Sequence, residues 1–336
     1  MNADELERRL RDAFDVRARS SVSEDVQPPA PRFAMPREPR RLRMLAPLAA
    51  AAAVLAVVGS MIALRNNQED GHGRRHRVAT AAASVHIRMV DVDNQTYGVG
   101  MPVVADFSRK FRTAKPLAAA TSVTVDGKPV RAAWYFEHSA TKGYPIAGHL
   151  RMRGFWPPHV TVKVTIAPNE LTSAAAIDFR TGARTIAIVQ DAKHEMVVMS
   201  DGKIMGSYPV SLGGRRSPTV RGIKVIMDKH PSSCLADVAG TYRECGIKYT
   251  QQLTYSGEYL HSAPWNTSNI QRGVDSSNGC TNLMPTDARL LYKTLKVGDV
   301  VEYPDADGPT MRADSGYGDW NVPWHVWIRG GLIPTS

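Results

Sequence analysis

Between Ser84 and Ile177, apolar and polar residues alternate with a period of two in one short segment after another. The clearest is Val160-Thr-Val-Lys-Val-Thr-Ile166, where every second side chain is apolar, as in a strand with one buried face. The same reading predicts strands at Val85–Val90, Val103–Phe107, Ser122–Val125, Ala133–Glu137 and His149–Arg153. Asp126-Gly127 between two of these segments signals a tight turn. Short strands at regular spacing over residues 84–178 predict an immunoglobulin-like β-sandwich.

A second β-rich domain is expected over 179–303. Its predicted strands are Thr185–Gln190, Glu195–Met199, Ile204–Val210, Ile223–Met227 and Val300–Tyr303, with the Gly- and Pro-punctuated loop SLGGRRSPTVRG before the fourth. Pro285–Leu295 fits an amphipathic helix with Thr286 as its N-cap. Residues 304–336 carry Trp320, Trp324 and Trp327 in a polar setting, and such large aromatics require burial. This extension is expected to fold back onto the second domain. The fold class is therefore mainly β, with one or two helices.

The N-terminal quarter reads differently. Leu6, Leu10 and Phe14 recur every four residues among charges, which predicts a short amphipathic helix over 3–17. Residues 20–43 are rich in Pro, Ser, Arg and Glu and read as disordered. Met44–Leu64 contains no charged residue and is long enough, as a helix, to cross a bilayer core. The leader before it is too long for an ordinary signal peptide, and no Cys follows it as a lipoprotein would require. Arginines crowd its N-terminal flank, so the orientation favours residues 1–43 in the cytoplasm. The expectation is a single-span membrane anchor, a polar linker over 65–83, and the rest on the outer side of the cell membrane.

Net charge is +10. Most of the excess lies beyond the apolar run, which suits a polyanionic surrounding such as nucleic acid, anionic lipid or wall polymer. An anchor, and the lack of a basic helix or stacking strand, disfavour nucleic acid. There are 3 cysteines, Cys234, Cys245 and Cys280. In an exported chain two can pair, and the expected pair is Cys234 with Cys245, leaving Cys280 free. No Cys or His spacing of a zinc site is present, so no metal is expected.

The free Cys280 lies 19 residues after His261, inside Ser277-Asn-Gly-Cys280-Thr-Asn282. These are the parts of a thiol acyltransferase. A thiol near an imidazole can pass it a proton and become the nucleophile. Gly279 allows close backbone approach, so the N–H groups of Gly279 and Cys280 can face a developing oxyanion. The carbonyl of Ser262 is a candidate to orient His261.

The segments YSGEYLHSAPWN, DSSNGCTNL and VGDVVEY resemble the signature of the L,D-transpeptidases, most closely the mycobacterial type with a preceding immunoglobulin-like domain. SLGGRRSPTVRGIKVIM, HLRMRGFWPPHVTVKVTI and GDWNVPWHVW extend the resemblance over roughly residues 84–330. It implies Cys280 as nucleophile, His261 as base and then acid, and the Ser262 carbonyl as its orienting group. Tyr242 would stand near the oxyanion beside the N–H groups of Gly279 and Cys280. Asn282 would hold the donor stem or the active-site loop, and Trp265, Ser256 and Gly257 would line substrate tunnels. Asn278 stands where the family usually has His, and an amide cannot exchange protons near neutral pH.

The implied activity is 3→3 cross-linking of peptidoglycan stem peptides without a cofactor, with covalent inhibition by carbapenem-type β-lactams. Two other functions remain open: an L,D-carboxypeptidase or endopeptidase that uses water as acceptor, and a non-catalytic wall-binding protein. The pair Cys234–Cys245 is not a general feature of the resemblance and would order a lid over the site.

Overall fold

The computed structural model describes residues 87–89, 95–236 and 243–335. The expected helix at 3–17, the segment 20–43, the apolar run 44–64, the linker 65–83 and Tyr242 all lie outside the described residues. Among the described residues no helix is long and apolar enough to cross a membrane.

The first domain contains β1 (Ile87–Met89), β2 (Thr96–Tyr97), β3 (Val103–Phe107), α1 (Lys115–Ala120), β4 (Thr121–Val125), β5 (Lys128–Pro129), β6 (Ala132–Glu137), β7 (Ile146–Met152), β8 (Thr161–Ile166) and β9 (Ala175–Thr181). A four-stranded sheet in the order β1-β3-β7-β6 and a five-stranded sheet in the order β2-β9-β8-β4-β5 make up the sandwich. On β8, Val162, Val164 and Ile166 point inward and Lys163 outward, so the alternation in the sequence becomes the two faces of the sheet. Phe107, Trp134, Phe136, Leu150 and Phe179 fill the space between the sheets. Each such side chain contributes about 1.5–3 kcal/mol by leaving water.

Asp126 and Gly127 both have positive φ, 46° and 76°, as the β4–β5 turn requires. β9 continues past the expected boundary at 178, because Ile177, Phe179 and Thr181 keep the inward period. Helix α1 was not anticipated. Its one turn of apolar positions buries only Leu117.

The second domain contains β10 (Thr185–Gln190), β11 (Glu195–Ser200), β12 (Lys203–Ser211), β13 (Gly222–Val225), β14 (Asp228–Ala236), β15 (Arg243–Gln252), β16 (Tyr259–Ser262), α2 (Thr267–Arg272), β17 (Thr281–Leu283), α3 (Pro285–Thr294) and β18 (Val300–Tyr303). One nine-stranded mixed sheet runs β13-β18-β10-β11-β12-β17-β16-β15-β14. Ala288 and Leu291 of α3 join Val198, Leu260 and Leu283 in its core. Thr286 does not cap α3. The helix begins at Pro285, after Met284, with no side-chain cap; the fixed φ and missing N–H of proline suit the first helical position.

The tail, with α4 (Trp324–Trp327), was expected on the second domain. Asn321 bonds the backbone of Ile223 in both directions, at 2.8 Å each. The tail is also built into the sandwich. Arg151 of β7 is buried, with its guanidinium 4.8, 5.5 and 4.1 Å from the rings of Trp320, Trp324 and Trp327. It donates to the Val322 carbonyl at 2.7 Å. Three indole faces and a carbonyl thus replace the water that the cation loses.

Candidate active site

β16 and β17 are parallel neighbours, with Leu260 opposite Thr281, His261 opposite Asn282 and Ser262 opposite Leu283. Asn282 therefore projects to the side that carries His261, and Cys280, in the bend just before β17, lines the same cavity of about 270 Å³ with them. Ser256, Gly257, Trp265 and Asn278 line it as well. Leu235 of β14 and Ile247 of β15 pack with Cys280. Cys234 and Cys245 face each other across the same hairpin and are bonded. They are exposed on its outer side, and Cys280 is the free, buried cysteine.

His261 is buried and its Nδ1 lies 3.0 Å from the Ser262 carbonyl. A carbonyl only accepts, so the proton of the neutral ring is on Nδ1 and the Nε2 lone pair is available. Burial holds the imidazole below its ordinary pKa, against the smaller opposing effect of that hydrogen bond. The ring stacks on Trp265 at 5.9 Å, and Trp265 is 55% exposed at the mouth of the cavity.

The Cys280 thiol donates to the Gly257 carbonyl at 3.5 Å. Burial pushes it up to about 12, so it rests as a neutral thiol. The loop before it is fixed from several sides. The N–H groups of Ser276 and Ser277 donate to the Leu212 carbonyl, and Asp275 accepts from the Leu212 N–H at 2.6 Å. Ser277 Oγ donates to the Cys280 carbonyl at 2.6 Å and accepts from the Gly279 N–H at 3.1 Å. The Gly279 N–H, expected to face an oxyanion, is therefore already engaged. Gly279 has φ of 104°, a conformation that favours glycine.

Two groups at this site went unremarked in the sequence. Lys224 of β13 is fully buried, 2.5 Å from Glu258 and 3.8 Å above the Tyr303 ring. Glu258 precedes β16, and its other oxygen accepts from the Val220 N–H at 2.8 Å. Lys224 reads in the sequence as one more polar position of a strand. The signal for Glu258 was a charge wedged between Gly257 and the apolar start of β16. The buried Asn282 Oδ1 has no hydrogen-bond partner among the described residues.

Asp191, His194 and Asp275 bring possible ligand atoms within 4.8 Å of one another, all half-buried. They are the described residues best placed to share a cation, and they bind the β10–β11 turn to the loop before Ser276.

Residues 184–302 match the family model of the L,D-transpeptidase catalytic domain, and residues 63–171 match that of a bacterial Ig domain. The chain contains an L,D-transpeptidase catalytic domain. L,D-transpeptidase 2 of Mycobacterium tuberculosis (strain CDC 1551 / Oshkosh) is 28% identical over 279 residues, 77% of this chain and 66% of that protein. L,D-transpeptidase 5 of strain ATCC 25618 / H37Rv is 25% identical over 253 residues, 72% of this chain and 55% of that protein. The chain thus spans less than two thirds of the length of either relative.

A crystal structure of an L,D-transpeptidase from Mycobacterium tuberculosis H37Rv is alike with a TM-score of 0.51 and 25% identity, covering 65% of this chain and 97% of that one. The fold is also that of an LD transpeptidase solved in complex with imipenem, with a TM-score of 0.55 and 24% identity over 65% of this chain and 98% of the other. The cavity described above lies wholly within the span matched to the L,D-transpeptidase catalytic domain.

Proposed function

We propose that the protein is a peptidoglycan L,D-transpeptidase that forms 3→3 cross-links through a Cys280 thioester. The observation that carries this reading is the convergence of Cys280, His261 and Asn282 on one cavity inside an L,D-transpeptidase domain. In the first half-reaction, His261 Nε2 takes the thiol proton as sulfur attacks the carbonyl of the third residue of a tetrapeptide stem. The bond to the terminal D-Ala breaks, and the imidazolium returns the proton to the leaving amine. In the second, the side-chain amine of a neighbouring stem attacks the thioester and restores the thiol.

Because Ser277 Oγ occupies the Gly279 N–H, the oxyanion falls to the Cys280 N–H, joined by the Tyr242 hydroxyl that the family resemblance implies. Asn282 Oδ1, buried and unpartnered, suits an amide N–H of the donor stem. We assign the catalytic part to the outer side of the cell membrane, held there by the apolar run 44–64.

Intact-mass spectra with imipenem test the reading. One covalent adduct is expected on the wild-type chain and none on Cys280→Ser. An adduct that survives the substitution would remove Cys280 from the mechanism. Product analysis with a tetrapeptide stem, with and without an amine acceptor, separates cross-linking from hydrolysis.

A further inference from the structure

Behind the nucleophile lies a charged pair that the reaction above does not use. Lys224 Nζ and Glu258 are 2.5 Å apart, and both side chains are buried. The pair grips the chain on either side of Cys280. Before it, a Cβ on Gly279 would come within 3.4 Å of Glu258 Oε1, so the carboxylate rests against that residue. After it, Thr281 shares a 2.6 Å hydrogen bond with the hydroxyl of Tyr303, whose ring lies under the Lys224 ammonium. Glu258 also bonds the Val220 N–H, and nearby Thr219 donates to the Gly279 carbonyl at 2.9 Å. One carboxylate therefore ties the 213–221 loop, β13 and the Gly279–Cys280 turn together.

Such a pair is a poor way to stabilise a fold. Removing two charges from water is costly, and apolar residues of the same volume often serve as well. Its place against the nucleophile calls for an electrostatic account. We propose that the Lys224–Glu258 pair positions and tunes Cys280: Glu258 braces the turn before the nucleophile and adds to the effect of burial that keeps its thiol neutral, while Lys224 holds Glu258 in place and opposes its field. The proposal rests on Cys280 being the nucleophile.

The ionisable groups facing Cys280 are Lys224 from β13, Glu258 and Tyr259 at the start of β16, His261 within β16, and Tyr303 from β18. From the covering hairpin come the apolar Leu235 and Ile247. Beyond burial and the Tyr259 backbone, Glu258 raises the thiol and Lys224 lowers it. A thiol protonated at rest resists oxidation, since the thiolate is the oxidisable form.

The test is the rate of Cys280 alkylation by iodoacetamide across pH 6–10 in the full chain, with Glu258→Gln and Lys224→Met as variants. Below its pKa, a shift of one unit changes the thiolate fraction about tenfold. Glu258→Gln is expected to speed alkylation about tenfold, and Lys224→Met to slow it by a similar factor. Opposite signs are the diagnostic, because a merely structural pair would loosen the site and move both variants the same way. Changes in one direction, or rates within about twofold of wild type for both, overturn the proposal. Should Lys224→Met fail to fold, Glu258→Gln decides alone: faster alkylation at an unchanged melting temperature supports the proposal, and an equal or slower rate, or faster alkylation with a lowered melting temperature, overturns it. Imipenem acylation of the wild-type chain is measured in parallel, so loss of the nucleophile assignment is read separately from loss of this pair.

Discussion

Cys280 donates to the Gly257 carbonyl at 3.5 Å, while His261 directs its own Nδ1 proton away, to Ser262. At rest both are neutral, and each is hydrogen-bonded to backbone. In the proposed mechanism the pair becomes ionic only when a carbonyl carbon stands ready to accept the sulfur. The pH behaviour follows. The thiol sits at about 12, so iodoacetamide alkylation of the free enzyme should climb steadily from pH 6 to 10. A plateau near neutral pH would show a preformed thiolate. Acylation by imipenem needs neutral His261, whose pKa burial depresses, so the rate should hold as pH falls to 6.5 and drop only below it.

Replacing the base tests the same relationship from the other side. His261→Gln should lower the second-order rate of imipenem acylation by about 10²-fold or more, the usual contribution of a general base. A melting temperature close to wild type would show that the loss is chemical. A rate within threefold of wild type would send the search for a base elsewhere in the cavity.

Asn278 lines the cavity but can carry no proton. Asn278→His is therefore expected to change the imipenem acylation rate by less than tenfold, in stopped-flow or mass-resolved kinetics. A larger gain would make the residue before Gly279 part of the proton path.

The hairpin over Cys280 offers a separate measurement. With Cys234 and Cys245 bonded, thiol titration of the unfolded, unreduced chain should find one free thiol. The double variant Cys234→Ser/Cys245→Ser should lose about 2–4 kcal/mol against denaturant. It should also alkylate faster at Cys280, because Leu235 and Ile247 are the lid's contacts with that side chain. Unchanged access would detach the disulfide from the lid.

Glu137 of β6 is buried beside His149, 3.4 Å from its Nε2, and burial raises it to about 7. A raised carboxyl binds its proton more tightly in the folded state than in the unfolded state. Stability is therefore lost as pH rises from about 4.5 to 7. Glu137→Gln removes that penalty, up to about 3 kcal/mol. Melting curves should show little gain for the variant at pH 4.5 and a clear gain at pH 8.

Much of this was legible in the sequence wherever burial follows a period. Val103–Phe107, Thr185–Gln190 and Val300–Tyr303 are strands with the bounds that their apolar runs indicate. The hairpin of β14 and β15 was not legible. Leu235 is the only buried residue of β14, and sheet-edge strands of exposed polar residues leave no hydropathy signal. At the site, the motifs around His261 and Cys280 marked residues that line one cavity. Lys224 and Glu258 meet from positions 34 residues apart, and no local pattern marks a lysine whose counter-charge arrives from so far along the chain.

The cage around Arg151 bears on the order in which the molecule is completed. Its walls, Trp320, Trp324 and Trp327, leave the ribosome about 170 residues after the arginine. Until the C-terminal segment arrives, that cation has no aromatic enclosure, and the sandwich meets its neighbour through direct bonds such as that from the Gly98 N–H to the Val297 carbonyl. A chain cut short just before Trp320 would keep every reactive side chain and yet lack one of the clasps between its two domains.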